Sequence, residues 1–439
     1  MKIVQVVGWY FPDSVGGTEV YVQALCDRLR ARGHSVWVAA PRPGQAGVQS
    51  CQDHEVPVFR YPTPLRPTRL EAQGETSVRG AEHLHRWLNR IHPDVVHLHT
   101  YTTGVGLSEL RAARVAGARV IATTHSSALG WICQRGDLMA WGSDPCDGTC
   151  KVRKCAACAL HARGLPRPFA KTIAAVPMSI SAALGRCPTR IGTALGMSAI
   201  IGRNQQRQRD MLACVDRFVV LTNWAFRVLI ANGAPSDKLA LNQLGYSQKI
   251  VRKPGPEARP TEAPVRIGYL GRYEDVKGVR DLARAARLVP HDVDFRLEFR
   301  GPAVTRPELA LRHELQAICA GDARVVFAAP VPVEEVPEVL ASWDVLCCPA
   351  RCAEGGPTVA IEAHAAGTPV IGTRIGGLAE LVSDGVNGQL VSPGDVRALA
   401  DLLRSVAEDP SRIDRWRRAL PNARTMDEVA ADYLKLYAS

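Results

Sequence analysis

Two carboxylates eight residues apart, Glu354 and Glu362, bracket a glycine pair and a proline in the stretch PARCAEGGPTVAIE, residues 349–362. Gly355 and Gly356 let backbone approach a ligand closely, and Pro357 pre-sets the first turn of a helix. The loop and helix start, Gly355, Gly356, Pro357 and Thr358, thus offer free N–H groups that suit a diphosphate. From within that helix Glu362 is placed to chelate a ribose diol, while Glu354 reaches toward sugar hydroxyls. A second loop, after the run VRIGYL, carries Gly271, Arg272, Lys277 and Gly278. There Arg272 offers a guanidinium fork for phosphate oxygens and Lys277 a point charge for a departing diphosphate. A third loop, Gly376, Gly377 and Glu380 after PVIGT, again opens a helix with glycines. Elsewhere Cys133, Cys146, Cys150, Cys155 and Cys158 fall within 26 residues, with C-x3-C and C-x2-C pairs spaced to chelate one tetrahedral ion. Structural zinc held by four of the five is expected there, with free thiols, an iron–sulfur cluster or a disulfide as the alternatives.

Loops of this kind meet only if they leave the carboxyl ends of parallel strands, where open α/β sheets bind ligands. The sequence supplies such strands twice. Lys2 to Gly8 is a β-branched run without alternation, Glu19 to Arg32 follows as a helix with Val22, Leu25 and Leu29 on one stripe, Gly33 ends it, and SVWVAA (35–40) is the next strand. Apolar runs at Asp94 to His99, Arg119 to Thr124 and Arg217 to Thr222 continue the series, predicting a doubly wound N-terminal domain over 1–252. The stretch 126–211, Cys-rich early and Ala/Ser/Gly-rich later, reads as an insertion capping the sheet edge. KPGPEARPTEAP, 253–264, suits a linker. Strands at 265–270, 295–299, 324–327, 344–348 and 369–373, alternating with helices near 278–288, 307–320, 333–342 and 357–366, predict a second doubly wound domain over 265–424. The remainder, 425–439, is expected to be a helix that packs back on the N-terminal domain.

The chain has 439 residues, 46% hydrophobic and 22% charged, the balance of a folded protein too long for one ordinary core. Its net charge of +11 is uneven: residues 1–260 hold 33 Lys and Arg against 17 Asp and Glu, and the rest 21 against 26, giving +16 and −5. From Gly148 to Arg209 there is no acidic residue, while eleven cations accumulate. Such a surface attracts phosphates or an anionic membrane. No run long enough to span a bilayer and no signal-peptide pattern is present, so the expected location is the cytoplasm, peripheral on the inner face of the membrane. Neither VVGWYF nor YLGRYE supplies the G-x-G-x-x-G of a nicotinamide-dependent oxidoreductase, and 6% aromatics without a base-reading motif argue against nucleic acid as a partner.

Taken together, GR-x4-KG (271–278), EGGPTVAIEA (354–363), AAGTPVIGTRIGG-x2-E (365–380) and P-x3-GGTE (12–19) before a helix ending in GH-x-V resemble the retaining glycosyltransferases of family 4. The resemblance covers the first 40 residues, the stretch around His125 and nearly all of 265–403. It implies a GT-B fold, two Rossmann-like domains facing a cleft, with a nucleotide diphosphate sugar as donor, retention of configuration and no catalytic metal. By position it assigns Arg272 and Lys277 to the diphosphate, Glu362 to the ribose and Glu354 to the transferred sugar. It also assigns Gly16 and Gly17 to the loop facing the donor phosphates, and His125, after RVIATT, to the sugar near the bond being broken. Among the cysteines it favours Cys133, Cys146, Cys155 and Cys158, with Cys150 spare. The aromatic that many relatives carry after Glu354 is missing, and LNQLGYS (241–247) lacks their Pro-Asn-Gly. No carboxylate pair suits double displacement, so front-face transfer to a glycan or lipid-linked acceptor is the expected reaction. An epimerase or phosphorylase of the same fold is the alternative.

Overall fold

The computed structural model describes residues 1–14, 16–99, 101–247 and 263–439, so the expected linker lies outside the described residues except for its last two. The chain divides into two compact units. The first comprises Met1–Gly142, Cys146–Gln243 and Met426–Ser439, the second Ser143–Pro145 and Leu244–Thr425.

In the first unit eight described strands form one sheet: β1 (Lys2–Val6), β2 (Ser35–Pro43), β3 (Gln49–Asp53), β4 (Val56–Thr63), β5 (Val95–Leu98), β6 (Arg119–Thr123), β7 (Arg217–Val220) and β8 (Leu239–Leu241). Their order is β8-β7-β6-β5-β1-β2-β4-β3. Every pairing is parallel except β3 with β4. The central strands are buried on both faces, Ile3, Val4, Val38, Val120 and Ile121 among them, which is why they read as unbroken apolar runs. Because β1 lies between β2 and β5, the winding reverses at β1/β5, and the loops after β1, β5 and β6 leave the sheet around that point.

The segment 126–211 was expected to cap the sheet edge. Its helices (Val152–His161, Arg167–Ala174, Met178–Leu184, Arg190–Leu195 and Met197–Cys214) instead share a small core of Ala156, Leu160, Ala170, Met197 and Ile201. The last of them packs on the helix Leu107–Val115, which itself covers β5 and β6. The apolar side of Met197–Cys214 is therefore satisfied against the helix Leu107–Val115 and the other helices of the segment. The terminal helix Met426–Ala438 lies against the helix Gly17–Ala31 and buries Met426, Val429, Ala430, Tyr433 and Tyr437.

The second unit holds β9 (Val265–Leu270), β10 (Phe295–Arg300), β11 (Val325–Ala328), β12 (Val345–Cys348), β13 (Val370–Thr373) and β14 (Gly388–Val391), all parallel, in the order β11-β10-β9-β12-β13-β14. Here the winding reverses between β9 and β12. The glycine-bearing loops after β9, β12 and β13 are thus neighbours at the switch point, as their chemistry requires. Gly268 in mid-β9 is where a Cβ would lie 1.9 Å from the ring of Trp343, so the indole fills the space a side chain would take.

Candidate functional site

The loop after β9 ends in a 3-10 turn, Asp275–Lys277, closed by Gly278 at φ +71. A Cβ on Gly278 would stand 1.7 Å from the Pro349 carbonyl oxygen, so only glycine lets this loop press against the one that follows β12. The Arg351 N–H donates to the Val276 carbonyl (2.7 Å), and the Arg351 guanidinium forks onto the buried carboxylate of Asp281. The third loop locks on in the same way. Gly376 (φ +54) has no room for a Cβ beside the Glu354 backbone, the Gly377 N–H donates to the Glu354 carbonyl (2.8 Å), and Thr373 Oγ1 donates to the Ala350 carbonyl (2.6 Å).

An open cavity of about 470 Å³ lies where the three loops meet, bordered by Tyr269, Gly271, Lys277, Cys348, Glu354 and Pro357 among others. Lys277 Nζ donates to Glu354 Oε1 at 2.5 Å. Burial acts to lower the Lys277 pKa, but the Glu354 charge and hydrogen bond outweigh it and hold the ammonium above its ordinary range. Arg272, Gly355, Gly356, Thr358 and Glu362 do not border the cavity. Arg272 is half-exposed and ion-paired to Glu274 at 3.0 Å. Thr358 opens the helix Thr358–Ala366, with Pro357 as its N-cap and no capping side chain. Glu362, on that helix, is partly buried and makes neither a hydrogen bond nor an ion pair with any described residue; burial pushes its carboxyl up to about 7.

In the first unit Gly16 is the extended N-cap of the helix Gly17–Ala31, and a Cβ there would stand 2.8 Å from Glu19 Oε2. Glu19 is buried in the first turn and accepts from Ser14 Oγ (2.7 Å), so a negative charge already complements this helix terminus. At Gly17 a Cβ would meet open space. His125, just after β6, is partly buried; its Nε2 lies 3.1 Å from His99 Nδ1, and its ring meets Tyr21 edge-on at 4.9 Å. Burial lowers its pKa to about 3, so the imidazole is neutral. Beneath it Gln5, His97, His99, Thr123, Tyr433 and Tyr437 form a buried polar network that motif reading does not anticipate. The available signal was a glutamine inside the buried run KIVQV and the i, i+2 histidines of HLH.

The structure does not support the zinc expectation. Among the described residues no group of three or more His, Cys, Asp or Glu stands as a metal site. Cys133, Cys146, Cys155 and Cys158 border one cavity, and the thiols of the last three have local partners. Cys155 and Cys150 hydrogen-bond each other. Cys158 Sγ accepts from the Trp141 N–H (3.4 Å) and donates to the Met139 carbonyl (3.8 Å), and Cys146 donates to Asp147 Oδ1 (3.7 Å). Burial raises Cys146 and Cys158, and the Cys150 bond followed by burial raises Cys155, so these thiols are protonated.

Two doubly wound sheets, one parallel throughout and the other in all but its β3–β4 pairing, each with glycine-bearing loops at its switch point, define the GT-B class of fold. Within that class the chain belongs to glycosyltransferase family 4: residues 15–167 match the model for Glycosyltransferase Family 4, and residues 264–409 that for glycosyl transferases group 1. Over 185 residues it is 36% identical to the D-inositol 3-phosphate glycosyltransferase of Xylanimonas cellulosilytica, covering 41% of this chain and 43% of that protein. The chain spans about half the length, or less, of the curated relatives it matches. Among solved structures, sucrose-phosphate synthase from Thermosynechococcus elongatus aligns with TM-score 0.67 at 19% identity over 100% of this chain and 98% of that one. Anabaena HepE in complex with UDP aligns with TM-score 0.63 at 14% identity over the whole of both chains.

Proposed function

We propose that this protein is a retaining glycosyltransferase that moves a hexosyl-type sugar from a nucleotide diphosphate sugar to a hydroxyl of a glycan or lipid-linked acceptor, in surface polysaccharide or glycolipid synthesis. The observation that carries the reading is the convergence of three locked glycine loops on one cavity with the Lys277–Glu354 pair in its wall. A related protein carries the name D-inositol 3-phosphate glycosyltransferase, and HepE structures hold UDP or UDP-glucose. In the proposed reaction the acceptor hydroxyl attacks the anomeric carbon on the face the diphosphate leaves. The new glycosidic bond forms as the old C–O bond breaks, and the hydroxyl proton passes to a departing phosphate oxygen. Lys277 and Arg272 stabilise the charge that develops on the leaving group, the helix start Gly355, Gly356, Pro357 and Thr358 adds backbone N–H groups, Glu362 receives the ribose diol, and Glu354 the sugar hydroxyls. Gly16, Gly17 and His125 serve the donor from the first unit. A panel of UDP-, GDP- and ADP-sugars is expected to include one that raises the melting temperature and is consumed only when an acceptor hydroxyl is supplied. Stoichiometric use of inorganic phosphate, or interconversion of the donor without acceptor, would replace the reading with a phosphorylase or an epimerase.

The acceptor side rests on a second observation. Phe169, Met178, Ile180, Leu184 and Ile191 are 39–73% exposed on the short helices of 167–195, beside the exposed cations Arg167, Lys171, Arg186 and Arg190. No described helix is long and apolar enough to cross a membrane. Apolar side chains interleaved with cations suit the headgroup region of an anionic leaflet, each cation adding about 1 kcal/mol. Vesicles containing phosphatidylglycerol are expected to sediment the protein at low salt and less so at high salt, and the double variant Phe169→Glu, Ile191→Glu to lose most of the binding. Equal recovery in the supernatant with and without anionic lipid would remove the membrane from this proposal.

A further inference from the structure

Nothing in the proposed reaction uses the buried polar network under His125, yet its hydrogen bonds run in one direction. Gln5, His97, His99 and Thr123 are fully buried at the carboxyl side of β1, β5 and β6, and Tyr433 and Tyr437 reach them from the terminal helix. Gln5 Nε2 donates to the Tyr437 hydroxyl (3.3 Å), which leaves Gln5 Oε1 facing His99 Nε2 at 2.7 Å. An amide oxygen only accepts, so the His99 proton sits on Nε2. Burial holds His99 well below its ordinary pKa, and its ring is neutral, so its Nδ1 is a lone pair. His125 Nε2, 3.1 Å from that lone pair, must then carry the proton of its own neutral ring. The other nitrogen, His125 Nδ1, becomes an acceptor, and it makes no hydrogen bond with any described residue. The Tyr437 hydroxyl, having accepted from Gln5, donates to His97 Nδ1 (2.7 Å), and His97 Nε2 donates to Thr123 Oγ1 (2.7 Å).

We propose that Gln5 is a positioning residue that sets His125 as the Nε2–H tautomer, so that it presents Nδ1 as a hydrogen-bond acceptor for a hydroxyl of the transferred sugar. Turning the Gln5 amide over would invert every bond of the relay and convert Nδ1 into a donor, so one side chain in β1 sets the polarity of a group two strands away. The tautomer is a property of the first unit alone; its use on sugar rests on the function proposed above.

Nitrogen-15 spectra of protein labelled on histidine, with the His125 signals identified by their loss in His125→Gln, read the tautomer directly. A protonated Nε2 and an unprotonated Nδ1 are expected in the full chain; a protonated Nδ1 overturns the proposal. In Gln5→Met, which leaves His99 free to take either tautomer, the His125 signals are expected to move toward a mixture and kcat/KM for the donor to fall about tenfold. Gln5→Glu can only accept once it is ionised, and it is expected to restore the Nε2–H pattern at pH values above the titration of its buried carboxyl. If Gln5→Met kept the wild-type signals, the relay would not be what fixes the ring. If instead the spectra behave as expected while His125→Ala turns over normally, the lock stands and it is the sugar-binding role of His125 that falls.

Discussion

Lys277→Ala is expected to lower turnover about 10²- to 10³-fold at saturating donor while moving the donor KM only a few-fold. The asymmetry comes from Glu354. In the free protein the Lys277 ammonium is already compensated by the Glu354 carboxylate, and a bound diphosphate must compete with that partner. Ground-state binding therefore gains little from the cation. As the bond to the anomeric carbon breaks, negative charge accumulates on the departing phosphate, and the attraction to Lys277 grows beyond what Glu354 offers. An interaction stronger in the transition state than in the ground state appears in kcat. Arg272 does not border the cavity and is paired to Glu274 at the surface, so Arg272→Ala is the milder change. Initial rates over a range of donor concentrations separate the two constants, and a Lys277→Ala enzyme with normal kcat and raised KM would make Lys277 a binding group instead.

The parts of this site legible in the sequence are those whose physics is local. A glycine that must press against a neighbouring carbonyl, as Gly278 does, announces itself by being glycine, and parallel strands buried on both faces announce themselves as apolar runs. The β3–β4 hairpin stayed hidden because its turn residues, His54 and Glu55, hold φ of 45° and 66°, where glycine or asparagine would have given the signal. Strand β14 was missed for a related reason: GQLV is short and half polar, and Gly388 is there because a Cβ would stand 2.0 Å from the Val370 carbonyl oxygen. The zinc expectation came from spacing, with the resemblance choosing among the five cysteines. Spacing shows which thiols are close along the chain, whereas the packing of the helix Val152–His161 decides where the Cys155 and Cys158 sulfurs point. The relay under His125 was the least legible of all, since its key bond joins residues 432 apart, and no local pattern foretells that Tyr437 returns to Gln5.

Nucleoside diphosphate affinity is expected to rise with pH up to about pH 7 and then level off, and the slope is expected to vanish in Glu362→Gln. Burial pushes the Glu362 carboxyl from the ordinary carboxylate range up to about 7. The sign follows from linkage: the folded state holds this proton more tightly than the unfolded chain, so the stability this group contributes is fully present below its unfolded pKa and is lost as pH rises through about 7. A ribose diol reverses the preference locally. Two hydroxyls donating to one carboxylate favour its ionised form, each such bond contributing roughly 1.5–3 kcal/mol, so binding draws the pKa down and expels a proton. Below pH 7 that proton must leave first, which weakens binding by up to about tenfold per pH unit; above it the carboxylate is ready. Calorimetric titrations with UDP, GDP and ADP at pH 6 in buffers of different ionisation enthalpy are expected to show close to one proton released for the nucleotide that binds best, and almost none at pH 8.5. Glu362→Gln, which keeps the shape but cannot ionise, is expected to bind that nucleotide 10- to 100-fold more weakly at pH 8 with no proton release at either pH. Unchanged affinity in Glu362→Gln, or equal proton release at both pH values in the wild type, would show that the ribose is held elsewhere.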